Sequence, residues 1–247
     1  MISSLFHSAF YDPLYNLLVF VINHVPGGDV GLATIIVTCL VKLVLFPLSK
    51  QATKTQLKMK VLEPELAKIK EQYGSNREEF GRKTLEFYRK NNLNPFASFF
   101  LILLQLPVII ALAYIFISGG LPTIKTDLLY SFVQIPAVVT TLFLGLVDVG
   151  GRSIILSIFA GLAQFVQIRL SVPAYTPPAN PSKNPSFSDD LAKSMNVQMR
   201  YVMPVIMFFV CLSVSGAVAL YWITGSIFTI GQELYFRKNI KKEEKKA

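Results

Sequence analysis

The sequence predicts an all-α membrane protein, on three observations. Of its 247 residues, 52% are hydrophobic and only 16% are charged. The charges are confined to a few stretches, whereas a soluble domain of this length spreads them over every surface element. Between them lie apolar runs long enough to cross the hydrocarbon core, which takes roughly 20 residues of helix. The net charge of +9 therefore reads as the Lys and Arg excess of cytoplasmic loops, with no specific nucleic-acid site.

In residues 1–29, Leu14, Leu17, Leu18, Val21 and Ile22 recur at helical spacing, and Asp12-Pro13 fits an N-cap followed by a first-turn proline. The stretch lacks the basic start of a secretory signal, so no cleavage is expected. It reads as an amphipathic helix on the outer membrane surface, with a short span as the alternative.

The spans are placed at residues 30–49, 95–118, 153–170, 197–214 and 217–236. The last two come from one apolar region, Tyr201 to Ile230, which as a single helix would be about 45 Å long against a core of about 30 Å. Ser213-Val214-Ser215-Gly216 near its middle marks a turn between two helices. A further apolar run, Ser131 to Val147 within the segment 119–152, is ambiguous and could lie on the surface or cross. Pro136 and Gly145 within it favour the surface.

Charge sets the expected topology. Lys50 to Lys90 holds eleven Lys and Arg residues and residues 237–247 hold six, which places both on the cytoplasmic side and the N-terminus outside. An even number of crossings must follow the first span. Two arrangements of five crossings satisfy this, two final helices with 131–147 external or one long final helix with 131–147 crossing, and Arg169, Lys183, Lys193 and Arg200 draw the loop 171–196 to the cytoplasm and favour the first. That loop is rich in Pro, Ser and Asn and is expected to be mobile.

Residues 50–94 read as a cytoplasmic helical hairpin. Met59, Leu62, Leu66 and Ile69 form one apolar stripe up to Tyr73-Gly74, and Asn76 with Glu79 resembles a capping box opening a second helix with Phe80, Thr84 and Phe87. The basic end, with Lys241, Lys242, Lys245 and Lys246, reads equally as a solvated anchor or as a ribosome contact.

Lys42 interrupts the first span. A cation near mid-span costs about 3 kcal/mol on insertion scales, so it faces a wet cavity or a partner, or its stem snorkels to the headgroups. No carboxylate lies within the spans to pair with it, while Gln105, Gln164, Gln167, Thr224 and Ser226 on other spans offer polar groups. A wet cavity holding one positive charge would attract the acidic or polar part of an incoming chain. Cys39 and Cys211 sit in apolar runs as small hydrophobes. Enzyme readings find no support: both histidines, His7 and His24, precede the first span, and no nucleophile, metal or phosphate motif is present. Asp148 and Arg152 read as a local surface pair. No cofactor is expected.

Lys42 followed by Leu45-Phe46-Pro47-Leu48 and Lys50-Gln51, then Asn94-Pro95, Gln105-Leu106-Pro107-Val108 with Ala111-Leu112, Met203-Pro204-Val205, Ser215-Gly216, Leu220-Tyr221-Trp222 and Gln232 occur in order over nearly the whole chain. This ordered set resembles the YidC family of membrane protein insertases, bacterial relatives of the mitochondrial and chloroplast insertases. The resemblance implies a five-helix core with a surface helix and a cytoplasmic hairpin, in a bacterial plasma membrane. It also implies a hydrophilic groove that receives nascent membrane proteins as an insertase or chaperone. The groove residues it suggests here are Lys42, Gln105, Gln167, Trp222 and Ser226. Lys42 stands where the family has arginine, Ser226 where it usually has Asn, and Glu233 where a second Gln is common. Action alone and action beside a Sec translocon are both compatible with it. The readings from other classes are a small transporter or channel, and a membrane scaffold.

Overall fold

Prolines set where the helices of this chain begin and bend. The computed structural model describes residues 4–74, 76–94, 96–117, 121–172 and 193–244. Helix α1 runs over Ser4–His24 and so starts well before the expected Asp12. Asp12 is not its cap, since its backbone is helical at φ −63° and ψ −46°. A proline inside a helix leaves one carbonyl without its amide and crowds the preceding turn. Here the turn before Pro13 widens into a π segment, His7–Tyr11, in which the Asp12 amide reaches back to the His7 carbonyl. The same device precedes Pro204, where the segment Gln198–Val202 lets the Met203 amide bond to the Gln198 carbonyl.

Helices α2 (Val30–Val44) and α3 (Phe46–Val61) correct the expected straight span over 30–49. They meet at a bend of 70°. The Leu45 amide closes the last turn of α2 on the Val41 carbonyl at 3.0 Å, and Pro47, which has no amide to offer the Leu43 carbonyl, opens the new helix in its first turn. Pro64 divides the next stretch in the same way. The stripe Met59, Leu62, Leu66 and Ile69, read as one helix, is split at Leu62 between α3 and α4 (Glu63–Tyr73).

Helix α5 covers Arg77–Lys90 and packs against α4. Its cap is one-sided: Asn76 Oδ1 accepts the Glu78 and Glu79 amides at 3.1 and 3.2 Å, while the Asn76 amide goes to the Tyr73 carbonyl. Helix α6 follows over Phe96–Ile117, with Pro107 inside it.

The ambiguous run 131–147 forms no helix. It leads into a two-stranded antiparallel hairpin, β1 (Leu142–Phe143) and β2 (Val147–Asp148), with Leu142 opposite Asp148. Lipid-exposed irregular backbone is not found within the hydrocarbon core, which favours the surface placement of this run. The small sheet is an addition to the all-helical expectation. Asp148 turns back on its own loop and accepts the Gly150 amide at 2.9 Å, in place of the expected pairing with Arg152. Helices α7 (Ile154–Ser171), α8 (Lys193–Ser213) and α9 (Gly216–Glu244) complete the chain. Between α8 and α9 the chain is extended at Val214, with φ −115° and ψ 179°.

The separate basic tail expected from residue 237 is corrected, because α9 stays helical to Glu244. Arg237 Nη2 lies 2.6 Å from Glu233 Oε1 one turn earlier, an i,i+4 pair that supports the helix through this point. The mobile loop expected over 171–196 is shortened at both ends, since α7 reaches Ser171 and α8 starts at Lys193; its residues 173–192, and residues 245–247, lie outside the described residues.

By length and composition α1, α7 and α8 can each cross a membrane, and α2 with α3 makes a bent fourth candidate. Helix α9 falls outside that count because Thr224, Ser226, Thr229, Gln232 and Glu233 lower its apolarity. The core joins Tyr15, Leu18 and Ile22 of α1 to Val30 and Val37 of α2, Leu112 and Ile115 of α6, and Ala217 to Tyr221 of α9. Helix α7 buries Leu156, Ser157, Ala160 and Gly161 and exposes Ile154, Ile155, Ile158, Phe159 and Leu162. Ser157, Ala160 and Gly161 inward and large apolar residues outward suit a helix between protein and lipid.

The segment between α6 and α7 ties the helix ends together. Thr140 exchanges backbone bonds of 3.0 and 2.9 Å with Gly28 and Val30, and the Ala217 amide reaches the Val149 carbonyl at 2.9 Å. Gly28 has φ +62°, and a Cβ there would stand 2.0 Å from the Val138 carbonyl oxygen, so only glycine fits this approach.

Candidate functional site

The bend at Leu45 leaves Lys42 in the last turn of α2, where a cation complements the unpaired carbonyls at the helix end. Its Nζ donates to Gln105 Oε1 on α6 at 3.1 Å. Gln105 Nε2 in turn donates to Tyr221 Oη on α9 at 2.7 Å. A polar chain therefore links three helices. One turn beyond Tyr221, a Cβ on Gly225 would lie 3.2 Å from Lys42 Cε and 3.6 Å from Nζ. The lysine side chain thus runs along a strip of α9 that carries no side chain.

Lys42 forms no ion pair with a carboxylate among the described residues; its partner is a neutral amide. The charge pairs lie elsewhere. Arg237 holds Glu233, which is 3% exposed, and Arg82 and Lys83 meet Glu79 and Glu86 on the surface of α5. The Lys83 hydrogen bond holds the Glu86 carboxyl below its ordinary pKa.

Of the residues the sequence proposed, the structure brings Lys42 and Gln105 into contact. Trp222 turns to α7, where its Nε1 donates to Gln164 Oε1 at 2.8 Å, so Gln164 serves the indole and not the lysine. Gln167 is half-buried on α7, and Ser226 is buried on α9 beside Gly225; neither hydrogen-bonds Lys42.

Sequence reasoning missed Tyr221 and Gly225 as site residues. Tyr221 carried a usable signal, since a tyrosine hydroxyl inside an apolar helix must find a partner. It also missed a rim of polar contacts joining the ends of α7, α8 and α9. Ser171 Oγ donates to Glu233 Oε2 at 2.5 Å, Arg237 also donates to the Leu170 carbonyl, and Arg200 Nη2 donates to the Val172 carbonyl at 2.7 Å. Gln232 Nε2 donates to Ser49 Oγ of α3 at 3.0 Å. Among the described residues no three His, Cys, Asp or Glu side chains converge as a metal site would require. The arrangement can hold a positive charge against neutral partners where α2, α6 and α9 meet.

Comparison with known proteins decides the family. The chain matches the 60Kd inner membrane protein family over residues 21–244. It belongs to that family. The match begins within α1, ends with α9, and so takes in the whole Lys42–Gln105–Tyr221 chain. Curated relatives include the "Membrane protein insertase YidC" of Francisella tularensis subsp. novicida (strain U112), which is 28% identical over 232 residues, covering 93% of this chain and 37% of the relative. Proteins of the same description from subsp. tularensis (strain WY96-3418) and subsp. holarctica (strain FTNF002-00 / FTA) match with the same identity and coverage. The chain thus spans 37% of the length of these relatives. Membership of the 60Kd inner membrane protein family, together with the candidate spans, places the chain as a multi-pass protein of a bacterial inner membrane.

Proposed function

We propose that this chain is a membrane protein insertase and chaperone, without enzymatic activity. It takes hydrophobic segments of nascent membrane proteins from the cytoplasm into a groove between α2, α6 and α9 and releases them into the bilayer. The observation that carries this reading is the Lys42 ammonium held by a neutral amide. A cation within a membrane domain is costly and is kept where it serves a polar path. With no carboxylate among the described residues to neutralise it, its field remains available to a polar or acidic stretch of an entering chain. In this reading Ser226 lines the same groove, and Trp222 and Gln167 extend it toward α7.

The Lys/Arg bias supports a five-span core of α2, α6, α7, α8 and α9, with α1 on the outer surface, the N-terminus outside, and both the α4–α5 hairpin and the end of α9 in the cytoplasm. Those two basic elements would contact the ribosome, with the chain acting alone or beside a Sec translocon. A cysteine placed at Arg82 should accordingly react only with reagent on the cytoplasmic side.

The test of function is reconstitution. Purified protein in vesicles should give a short single-span substrate protection from added protease beyond that seen in protein-free vesicles. Equal protection in both would overturn the insertase reading.

A further inference from the structure

We propose that the β1–β2 hairpin and the run before it are a lipid anchor. They enter the headgroup–acyl boundary of the leaflet at the Gly216 end of the bundle and fix the depth at which that end sits. This inference does not depend on the insertase reading.

The first observation is chemical. From Leu128 to Val147 the chain carries no Asp, Glu, Lys or Arg, and the hairpin from Leu142 to Val147 has no polar side chain at all. Its large apolar side chains point outward: Leu146 is 82% exposed, Phe132 71% and Ile135 61%, with Val138, Leu142 and Leu144 also exposed. Contiguous apolar exposure on this scale marks an interaction surface.

The second observation is independent of exposure and concerns the backbone. A loop tip in water can leave its amides to solvent, whereas one in lipid must satisfy them internally. Here the Leu142 amide donates to Thr140 Oγ1 at 3.2 Å and the Leu144 amide to Asp29 Oδ2 at 2.8 Å. The Gly145 amide reaches the Leu142 carbonyl at 3.1 Å and the Leu146 amide the Phe143 carbonyl at 3.0 Å. Leu144 adopts φ 52° and Gly145 φ 72° within this closed turn.

The third is position. The segment is bonded to the starts of α2 and α9 through Thr140, Val149 and Gly151, so it sits level with the helix ends. It leads directly into α7, whose first turn exposes Ile154 and Ile155. The apolar surface of the hairpin thus continues the outward aliphatic surface of a candidate span. Tyr130, stacked at an angle on Phe132 with ring centroids 5.7 Å apart, places an amphipathic ring where membrane proteins carry them, at the headgroup level. Lipid fits this surface better than a protein does, because a protein interface carries hydrogen bonds to set its register and the tip offers no side chain to make them.

The experiment uses the full chain in vesicles of phosphatidylethanolamine and phosphatidylglycerol. The protein has a single tryptophan, Trp222, whose emission in the parent is the baseline for Leu146→Trp, Leu144→Trp and Asp127→Trp. All three sites are exposed, so the variants should fold as the parent does. Emission added at 146 and 144 should be blue-shifted and mostly lost when the lipids are brominated in the upper part of their acyl chains. Emission added at 127 should instead be lost to aqueous acrylamide. Quenching of 146 and 144 by acrylamide but not by brominated lipid would overturn the proposal, and so would shielding of both sites from both quenchers, which would show a protein covering the hairpin.

Discussion

Gln105 donates to Tyr221 Oη from Nε2 at 2.7 Å while its Oε1 accepts from Lys42 at 3.1 Å. The orientation of this amide is forced, since an ammonium can only donate, so the oxygen must face Lys42 and the nitrogen must face the tyrosine. Both ends of the side chain are used. Gln105→Glu should convert the contact with Lys42 into an ion pair and leave the fold intact, with Tyr221 now donating. It should nevertheless lower insertion of substrates with acidic tails more than of those with neutral tails, because the free positive field is gone. Protease protection of two substrates differing only in tail charge measures this, and equal insertion by variant and parent would separate the charge from the function.

Tyr221→Phe removes the acceptor and leaves the Gln105 amide group unpaired between helices. Gln105 is half-buried, so the loss should be about 1 kcal/mol, the low end for an unsatisfied donor, and the thermal midpoint in detergent should fall. Gln105→Leu with Tyr221→Phe should lose less than the sum of the two single variants, because the pair shares one interaction.

The helix pattern was legible in the sequence where it depended on apolar length. It was less legible where proline was concerned. Asp12-Pro13 looked like a helix start because a proline in the first turn is common, but a π segment upstream lets the helix run through it. Pro47 and Pro64 had the opposite outcome, each opening a new helix. The difference lies in the turn before each proline, which composition does not reveal. In the site, Lys42 and Gln105 were readable as polar interruptions of apolar runs. Tyr221 was hidden because a tyrosine fits an apolar run without disturbing it, and Gly225 because its role is to leave room for a side chain from another helix.

Glu233 is 3% exposed and is held by Arg237 at 2.6 Å and by Ser171 at 2.5 Å. Arg237→Ala would leave a buried carboxylate with only the serine, a loss of about 3 kcal/mol. Glu233→Gln should cost less, since an amide still accepts from the guanidinium. Arg237→Lys should fall between, because an ammonium cannot reach Glu233 and the Leu170 carbonyl with the same planar fork. Thermal unfolding of the purified variants should give that order, and an Arg237→Ala midpoint equal to the parent's would refute it.

Asp29 joins two elements through separate oxygens. Oδ1 caps α2 by accepting the Gly31 and Leu32 amides at 2.7 and 3.0 Å, and Oδ2 accepts the Leu144 amide of the hairpin turn at 2.8 Å. Asparagine keeps one oxygen for the cap but cannot accept with its amide nitrogen. Asp29→Asn should therefore speed hydrogen exchange at Leu144 while α2 stays protected. Asp29→Ala should also lose the cap, with about 1 kcal/mol of stability.

Lys42 lies against Gly225, and that contact separates charge from shape. A methyl group at Gly225 would stand 3.2 Å from Lys42 Cε, and the flexible end of the lysine can yield by the few tenths of an ångström required. Gly225→Ala should therefore change insertion little, whereas Gly225→Leu should displace the ammonium from Gln105 and reduce it severalfold. Lys42→Arg keeps the positive charge and should retain insertion, since a point cation and a guanidinium both attract an acidic segment through a wet cavity. Lys42→Ala should impair acidic-tailed substrates most, and Lys42→Glu should be worst. A lysine that merely snorkels to the headgroups predicts the reverse for alanine, because removing the charge lowers the insertion cost of the span by about 3 kcal/mol. The measurement is protease protection of paired substrates at matched expression of each variant. If Lys42→Ala inserted both substrates as well as the parent does, the groove charge would have no part in insertion.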